Sequence, residues 1–252
     1  MTGIRQHTSR DVLEWDVRSW TPALRFWERK LAGRQVVTAL ELGARGGGLT
    51  LWLSRHAEDV VFSDMDGDKY GAQALHHRFG VTNVRYEAID ARDIPYRDAF
   101  DVIAFKSVLG AVGGATGSGK AHQQRAFDEI RAALKPGGIV LFAENLAASP
   151  MHAKLRQRFS AWSANWRYVG LDELAEFTRA FVDVEIRTTG FAAAFGRTER
   201  QRSVLAMADQ AVLMRLASPA WRYIAYGSAE KSRQTQSARP VNVSHGKRAS
   251  DP

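Results

Sequence analysis

Residues 36–66, VVTALELGARGGGLTLWLSRHAEDVVFSDMD, leave few folds open to this chain. The apolar run Val36, Val37, Ala39, Leu40 and Leu42 is too short to span a membrane. It suits a parallel strand covered on both faces. Gly43, Gly46, Gly47 and Gly48 then permit a sharp turn and a close approach of backbone to a ligand, because no Cβ stands in the way. Residues 49–56 continue as a short amphipathic helix whose free N–H groups point back at the turn. Residues 59–62 start a second strand, and Asp64 lies at its end, 21 residues after Gly43. A nucleotide-binding βαβ unit places a carboxylate on a ribose at about that interval.

The dinucleotide pattern G-x-G-x-x-G is not met, because Arg45 stands where its second glycine should be. Glu41, two residues before Gly43, points to another ligand. The run E-x-G-x-x-G-G, with Glu41, Gly43 and Gly47, resembles motif I of the class I S-adenosylmethionine-dependent methyltransferases of the small-molecule type. Its usual form there is E/D-x-G-x-G-x-G, so Arg45 is the departure. In that family the acid helps hold the amino-acid end of the cofactor, and the first glycine passes close beneath it. The resemblance therefore implies S-adenosyl-L-methionine as cofactor, met by Glu41, Gly43, Arg45 and Gly47. Asp64 and Met65 join this set from the end of the second strand.

Further motifs follow in the family's order. Residues 67–79 read as a helix and 83–88 as strand three, followed by Asp90 and Ala91. In the family, an acid and a small residue there meet the adenine. The carboxylate accepts from the exocyclic amine and the next N–H reaches a ring nitrogen. The other reading of Asp90 is a turn residue capping its own backbone. FDVIAF, residues 100–105, is strand four, with Lys106 and Ser107 at its carboxyl end, where ligands of open α/β sheets sit. These two complete the expected cofactor set. A helix over 121–134 stops at Lys135-Pro136-Gly137-Gly138, ahead of a strand over 139–144. The run IRAALKPGGIVLFAEN closely resembles the family's helix–K-P-G-G–strand segment. Residues 171–180, 182–187, 203–216 and 221–227 read as helix, strand, helix and strand, a late unit able to supply an antiparallel edge. The resemblance spans about residues 34–227. It implies a doubly wound, mostly parallel seven-stranded sheet of Rossmann-like kind, with N-terminal helices and an extra helical lid.

Residues 1–33 read as a helical cap. Leu13, Val17, Trp20, Leu24, Trp27 and Leu31 form one stripe. Thr21 can cap and Pro22 suits a first helical position, so the stripe is expected to divide there into two helices. They either cover the pocket or pack on the sheet. Residues 151–168 form a basic helix with Leu155, Phe159, Trp162 and Trp166 on one face. Such a helix lies on an anionic membrane, here the inner face, serves as a lid, or packs on the sheet. Residues 228–252 are polar and basic and read as a disordered tail.

The 252 residues, 45% hydrophobic, suffice for one sizeable domain with a lid. Cysteine is absent, which excludes disulfides and thiolate metal sites. The first residues lack an apolar signal region and no run approaches a membrane span, so a cytoplasmic protein is expected. A net charge of +8 favours anionic partners, here an anionic small-molecule or glycan acceptor. Lys106-Ser107-Val108-Leu109 stands where DNA methyltransferases carry N-P-P-Y, which disfavours nucleic acid. No metal site is apparent. Transfer to a hydroxyl calls for a general base, and His122 and His152, flanking the pocket-side loops, are the candidates. A competing signal is GATGSGKA at 114–121. It approaches a P-loop from Gly114 to Lys120, but Ala121 stands where a hydroxyl should ligate Mg²⁺. A P-loop nucleotide-binding protein and a non-catalytic module of the same fold are the two alternatives.

Overall fold

The computed structural model describes residues 7–68, 71–114, 118–152, 154 and 166–233. Among them, seven strands form one sheet: β1 (Thr38–Leu42), β2 (Asp59–Ser63), β3 (Val84–Glu87), β4 (Phe100–Lys106), β5 (Leu134–Asn145), β6 (Val182–Thr189) and β7 (Ile224–Glu230). Their order in space is β3-β2-β1-β4-β5-β7-β6. β1 pairs in parallel with both β2 and β4, so the winding reverses between them. β7 runs antiparallel between β5 and β6. The mostly parallel, doubly wound sheet and its antiparallel edge are as the motifs implied.

The strands divide their side chains between two cores with a period of two. Ala39, Val102, Ala104, Ile139 and Leu141 face one side. Leu40, Leu42, Ile103, Phe105, Val140 and Phe142 face the other. That division is what strands covered on both faces require. Helices α1 (Ser9–Leu13), α2 (Val17–Leu31) and α3 (Gly48–Leu53) pack on the first side. After α4 (Ala72–Arg78) and α5 (Leu109–Gly113), α6 (Gly119–Ala133) and α7 (Leu171–Phe177) cover the second through Phe127, Ile130, Leu174 and Phe177. α8 (Glu199–Ala208) continues through a π-helical turn, Asp209–Leu213, to Met214–Leu216. Trp27 fixes α2 in place: its Nε1 donates to the Gly227 carbonyl at 3.2 Å, and its ring lies 6.1 Å from that of Trp52.

Several boundaries differ from the sequence reading, each for a local reason. The tandem N-terminal helices divide at residues 14–16, where Glu14 and Asp16 take positive φ of 66° and 47°. Pro22 lies inside α2. Glu199 caps α2 from afar, accepting the backbone N–H groups of Asp16 and Val17 at 3.0 Å each. Pro22 forfeits one helical bond close to that end, and burial of Trp20, Leu24 and Trp27 offsets the loss. The helix after Asp64 starts only at Ala72, behind left-handed Gly71. The K-P-G-G turn lies within β5, where Gly137 (φ 81°) donates to the Lys231 carbonyl at 2.9 Å.

The tail boundary at residue 228 is corrected. β7 runs to Glu230, with Ser228 and Ala229 fully buried. Glu230 pairs with Arg34, and Lys231 Nζ donates to Asp98 at 2.7 Å. Small residues (Ala225, Gly227, Ala229) build this strand, so hydrophobicity does not mark its end. Residues 153 and 155–165 of the expected basic helix, residues 115–117 of the P-loop-like run and residues 234–252 lie outside the described residues.

Candidate functional site

β1 delivers Glu41 to the sheet's carboxyl edge, and the glycine turn follows. Gly43 and Gly47 hold φ of 60° and 75°. A Cβ on Gly43 would lie 2.6 Å from Val108 Cγ2, and one on Gly47 would lie 2.7 Å from His76 Nε2. These are positions where only glycine fits without strain. His76 clamps the turn: Nε2 lies 2.8 Å from the Gly47 carbonyl and Nδ1 lies 2.6 Å from the Tyr86 hydroxyl. The carbonyl requires Nε2 to carry the proton. α1 roofs the other side. A Cβ on Gly46 would meet Glu14 Oε1 at 2.8 Å, and one on Gly48 would run into the carbonyl of Val12. Arg45 fits despite breaking the family pattern. It takes φ 47°, its N–H donates to Asp64 Oδ2 at 2.8 Å, and its guanidinium lies 5.3 Å from the Trp15 ring.

Three ionisable groups converge at the ends of β1, β4 and β5. Glu41 is buried, accepts from the Thr50 hydroxyl, and is pushed up to about 8 by burial. Glu144 is buried and accepts backbone N–H groups from Val108 and Leu109 at 2.8 Å each and from Asn145 at 3.0 Å. Burial raises it to about 7 against the pull of those three bonds. Lys106 Nζ is buried and has no hydrogen-bond partner among the described residues. It lies 3.1 Å from the Trp15 ring centroid and 5.0 Å from that of Trp20. Burial lowers it to about 7, opposed by Glu14, Glu41 and Glu144. Ser107, at φ 58°, accepts from the Asn145 amide at 2.9 Å.

The remaining expected residues fall on two flanks. Asp64 ends β2, 7% exposed, with Oδ2 on the Arg45 N–H and Oδ1 accepting from Asp66 N at 2.9 Å. Met65 beside it is 65% exposed. Asp90 is held by Arg92, whose guanidinium and N–H lie 2.6–3.1 Å from its carboxylate and keep its pKa low. Asp90 caps its own turn through the Arg92 N–H, and buried Ala91 follows.

The two histidines do not join the cluster. His122 sits in the first turn of α6, with no described contact to Glu41, Lys106 or Glu144. His152 is buried with both ring nitrogens engaged: Nδ1 lies 2.7 Å from the Ser149 hydroxyl and Nε2 lies 2.8 Å from the Phe191 carbonyl. Its ring stacks 4.7 Å from Phe195. A histidine so fixed is a packing element, and its expected role as base is withdrawn. Sequence reasoning missed Glu144, Trp15 and His76. A lone acid ending the apolar run IVLFAEN was the available signal for Glu144. Trp15 lies off the helical stripe and gave none.

A sheet wound both ways from a β1/β4 switch, with an antiparallel β7 beside β5 and an acid-and-glycine turn at the switch, defines the class I methyltransferase fold. Residues 40–142 match the family model described as a methyltransferase domain. Over 151 residues it is 32% identical to the ubiquinone/menaquinone biosynthesis C-methyltransferase UbiE of Idiomarina loihiensis. That match spans 56% of this chain and 56% of the relative's length. Phosphoethanolamine N-methyltransferase 2 of Haemonchus contortus, solved with S-adenosyl-L-methionine, superposes with a TM-score of 0.56 at 16% identity, covering 84% of this chain and 53% of its own. The YcgJ protein of Bacillus subtilis superposes with a TM-score of 0.58 at 17% identity, covering 85% and 100%. At such identities the superpositions establish the fold alone.

Proposed function

We propose that this chain binds S-adenosylmethionine in the β1/β4 crevice and methylates a hydroxyl of a small-molecule, sugar or lipid-linked acceptor. The observation that carries the reading is the turn at Gly43: left-handed, directly after the buried acid Glu41, and crowded wherever a Cβ would stand. The donor set suits the cofactor's parts. Glu41 offers an acceptor to its ammonium group. Each Asp64 oxygen keeps a lone pair for the ribose hydroxyls after serving Arg45 and Asp66. Met65 and Ala91 stand on the adenine side. When bound, the cofactor supplies an electrophilic methyl on a sulfonium. The protein's part is then to hold acceptor and methyl at near-attack distance.

Lys106, expected on the cofactor side, is also a candidate for the acceptor side, as a buried amine with no hydrogen-bond partner among the described residues. A cationic sulfonium nearby disfavours an ammonium and favours the free amine. An amine near pKa 7 at a strand end is suited to take the hydroxyl proton. The P-loop reading has little support. Lys120 is drawn to Glu176 at 2.8 Å on the surface, and Ala121 has no hydroxyl.

Calorimetry with S-adenosylmethionine, its demethylated product and Mg-ATP tests the binding, and a panel of hydroxyl acceptors with labelled methyl donor tests the transfer. Cofactor binding with label in a hydroxyl acceptor is the expected result. Cofactor binding with no label in any acceptor favours the non-catalytic module.

A further inference from the structure

One surface plays no part in that chemistry. α8 turns Leu205 and Ala206 toward the core. Its outer side exposes Val204 (66%), Met207 (51%), Val212 (54%) and Leu216 (78%), and Trp221 (52%) lies just beyond. The spacings fit helical turns with the π-helical turn Asp209–Leu213 inserted, so these residues form a stripe instead of a scatter.

The charges around the stripe are sorted by sign. Both acids of the segment are used inward. Glu199 caps α2, and Asp209 accepts the N–H groups of Phe191, Ala192 and Ala193 at 2.9, 2.8 and 3.1 Å. The exposed charges between residues 197 and 222 are Arg197, Arg200 and Arg215. A groove beside Val204 is lined by Arg10, Arg200 and Ser203 together with Glu199, whose carboxylate is taken up by the N–H groups of Asp16 and Val17. An apolar stripe margined by arginines and ending in tryptophan matches the bilayer interface. There the apolar face enters the acyl boundary, the cations meet phosphate, and the indole sits at headgroup level. A second copy of this chain would oppose arginine with arginine. No helix among the described residues is long and apolar enough to cross a membrane.

We propose that residues 197–221 form a docking face for an anionic lipid bilayer, with Val204, Met207, Val212, Leu216 and Trp221 inserted and Arg10, Arg200 and Arg215 on lipid phosphates. This differs from the membrane contact expected of residues 151–168, and it stands whichever acceptor is methylated.

The test uses the full chain and vesicles of phosphatidylcholine, alone or mixed equally with phosphatidylglycerol. Binding at least about tenfold tighter to the mixed vesicles is expected, as for a cationic interfacial face. Val212→Asp with Leu216→Asp, and separately Arg200→Glu with Arg215→Glu, should each weaken binding at least about tenfold with unchanged melting, because all four residues are exposed. Quenching of fluorescence by bromolipid should fall in Trp221→Phe. Parent protein that ignores the mixed vesicles overturns the proposal. So does folded variant protein that binds them as the parent does, which would move the contact to another basic segment. Self-association through this face with no vesicle binding also overturns it.

Discussion

Two glycine-rich segments leave adjacent strands of the same sheet, residues 43–48 after β1 and residues 110–119 after β4, and they end in opposite electrostatics. The first is enclosed. Its glycines abut Val108, His76 and the α1 backbone, and Glu41, Glu144 and Lys106 are buried around it. The second is crowded as well, since a Cβ on Gly110 would meet the Trp166 ring and one on Gly113 the Gln123 amide, but it leads to Lys120, which turns outward to an exposed pair with Glu176. Glycine content alone does not distinguish them. The difference lies in which charges are desolvated beside the turn, because buried groups cannot be satisfied by water and must be answered by protein or ligand.

The largest effect that would sharpen this contrast is expected at Gly43. Gly43→Val adds a Cβ against Val108 at a left-handed φ, a strain of about 1–2 kcal/mol before any clash with ligand. Cofactor affinity in calorimetry should become undetectable. Unchanged affinity would break the comparison at its first member. Next in size is Asp64→Asn, which keeps the shape but removes the charge. Affinity for S-adenosylmethionine should fall by ~1.5–3 kcal/mol, the range for hydrogen bonds to a charged group. A folded variant binding as the parent would place the ribose elsewhere.

A smaller effect concerns the buried amine. Lys106 titrates near 7 in the fold, against about 10.4 in an unfolded chain. Between those values the unfolded state holds more protons, so this group makes stability rise with pH across that window. Lys106→Met should flatten the rise in melting temperature between about pH 7 and 10. Glu41 and Glu144, both raised, act oppositely at lower pH: the folded state holds the extra protons, and their contribution is lost as pH climbs toward 7 to 8. An unchanged slope in the Lys106 variant would mean that the amine is solvated. The smallest effect belongs to the outward member of the pair. Lys120→Ala should change cofactor affinity by less than ~1 kcal/mol, as for an exposed ion pair.

Much of this was readable from residue order, and the limits were physical. Motif I, the spacing to Asp64 and the K-P-G-G run are local patterns, and the sheet wound as they implied. β7 was placed three residues early because small residues paired on both sides carry no hydrophobic signal. The division of the N-terminal helices was put at Thr21-Pro22 because a proline is visible in sequence. The true division rests on Glu199, 183 residues from Asp16. Of the site, Glu41 and Gly43 were legible as a motif. The Lys106–Trp15 contact and the Glu144 cap join distant segments, and no local pattern encodes them. His152 looked functional by its place near a loop, and only its two ring partners reveal it as packing.

The most direct test of the central claim, that the turn at Gly43 and not the segment at Lys120 binds the cofactor, is a paired calorimetric titration of the full chain with S-adenosylmethionine and with Mg-ATP. The expected result is saturable heat with S-adenosylmethionine, kept in Lys120→Ala and lost in Gly43→Val, with only dilution heat for Mg-ATP. Binding of Mg-ATP that disappears in Lys120→Ala, with none for S-adenosylmethionine in the parent, would contradict it.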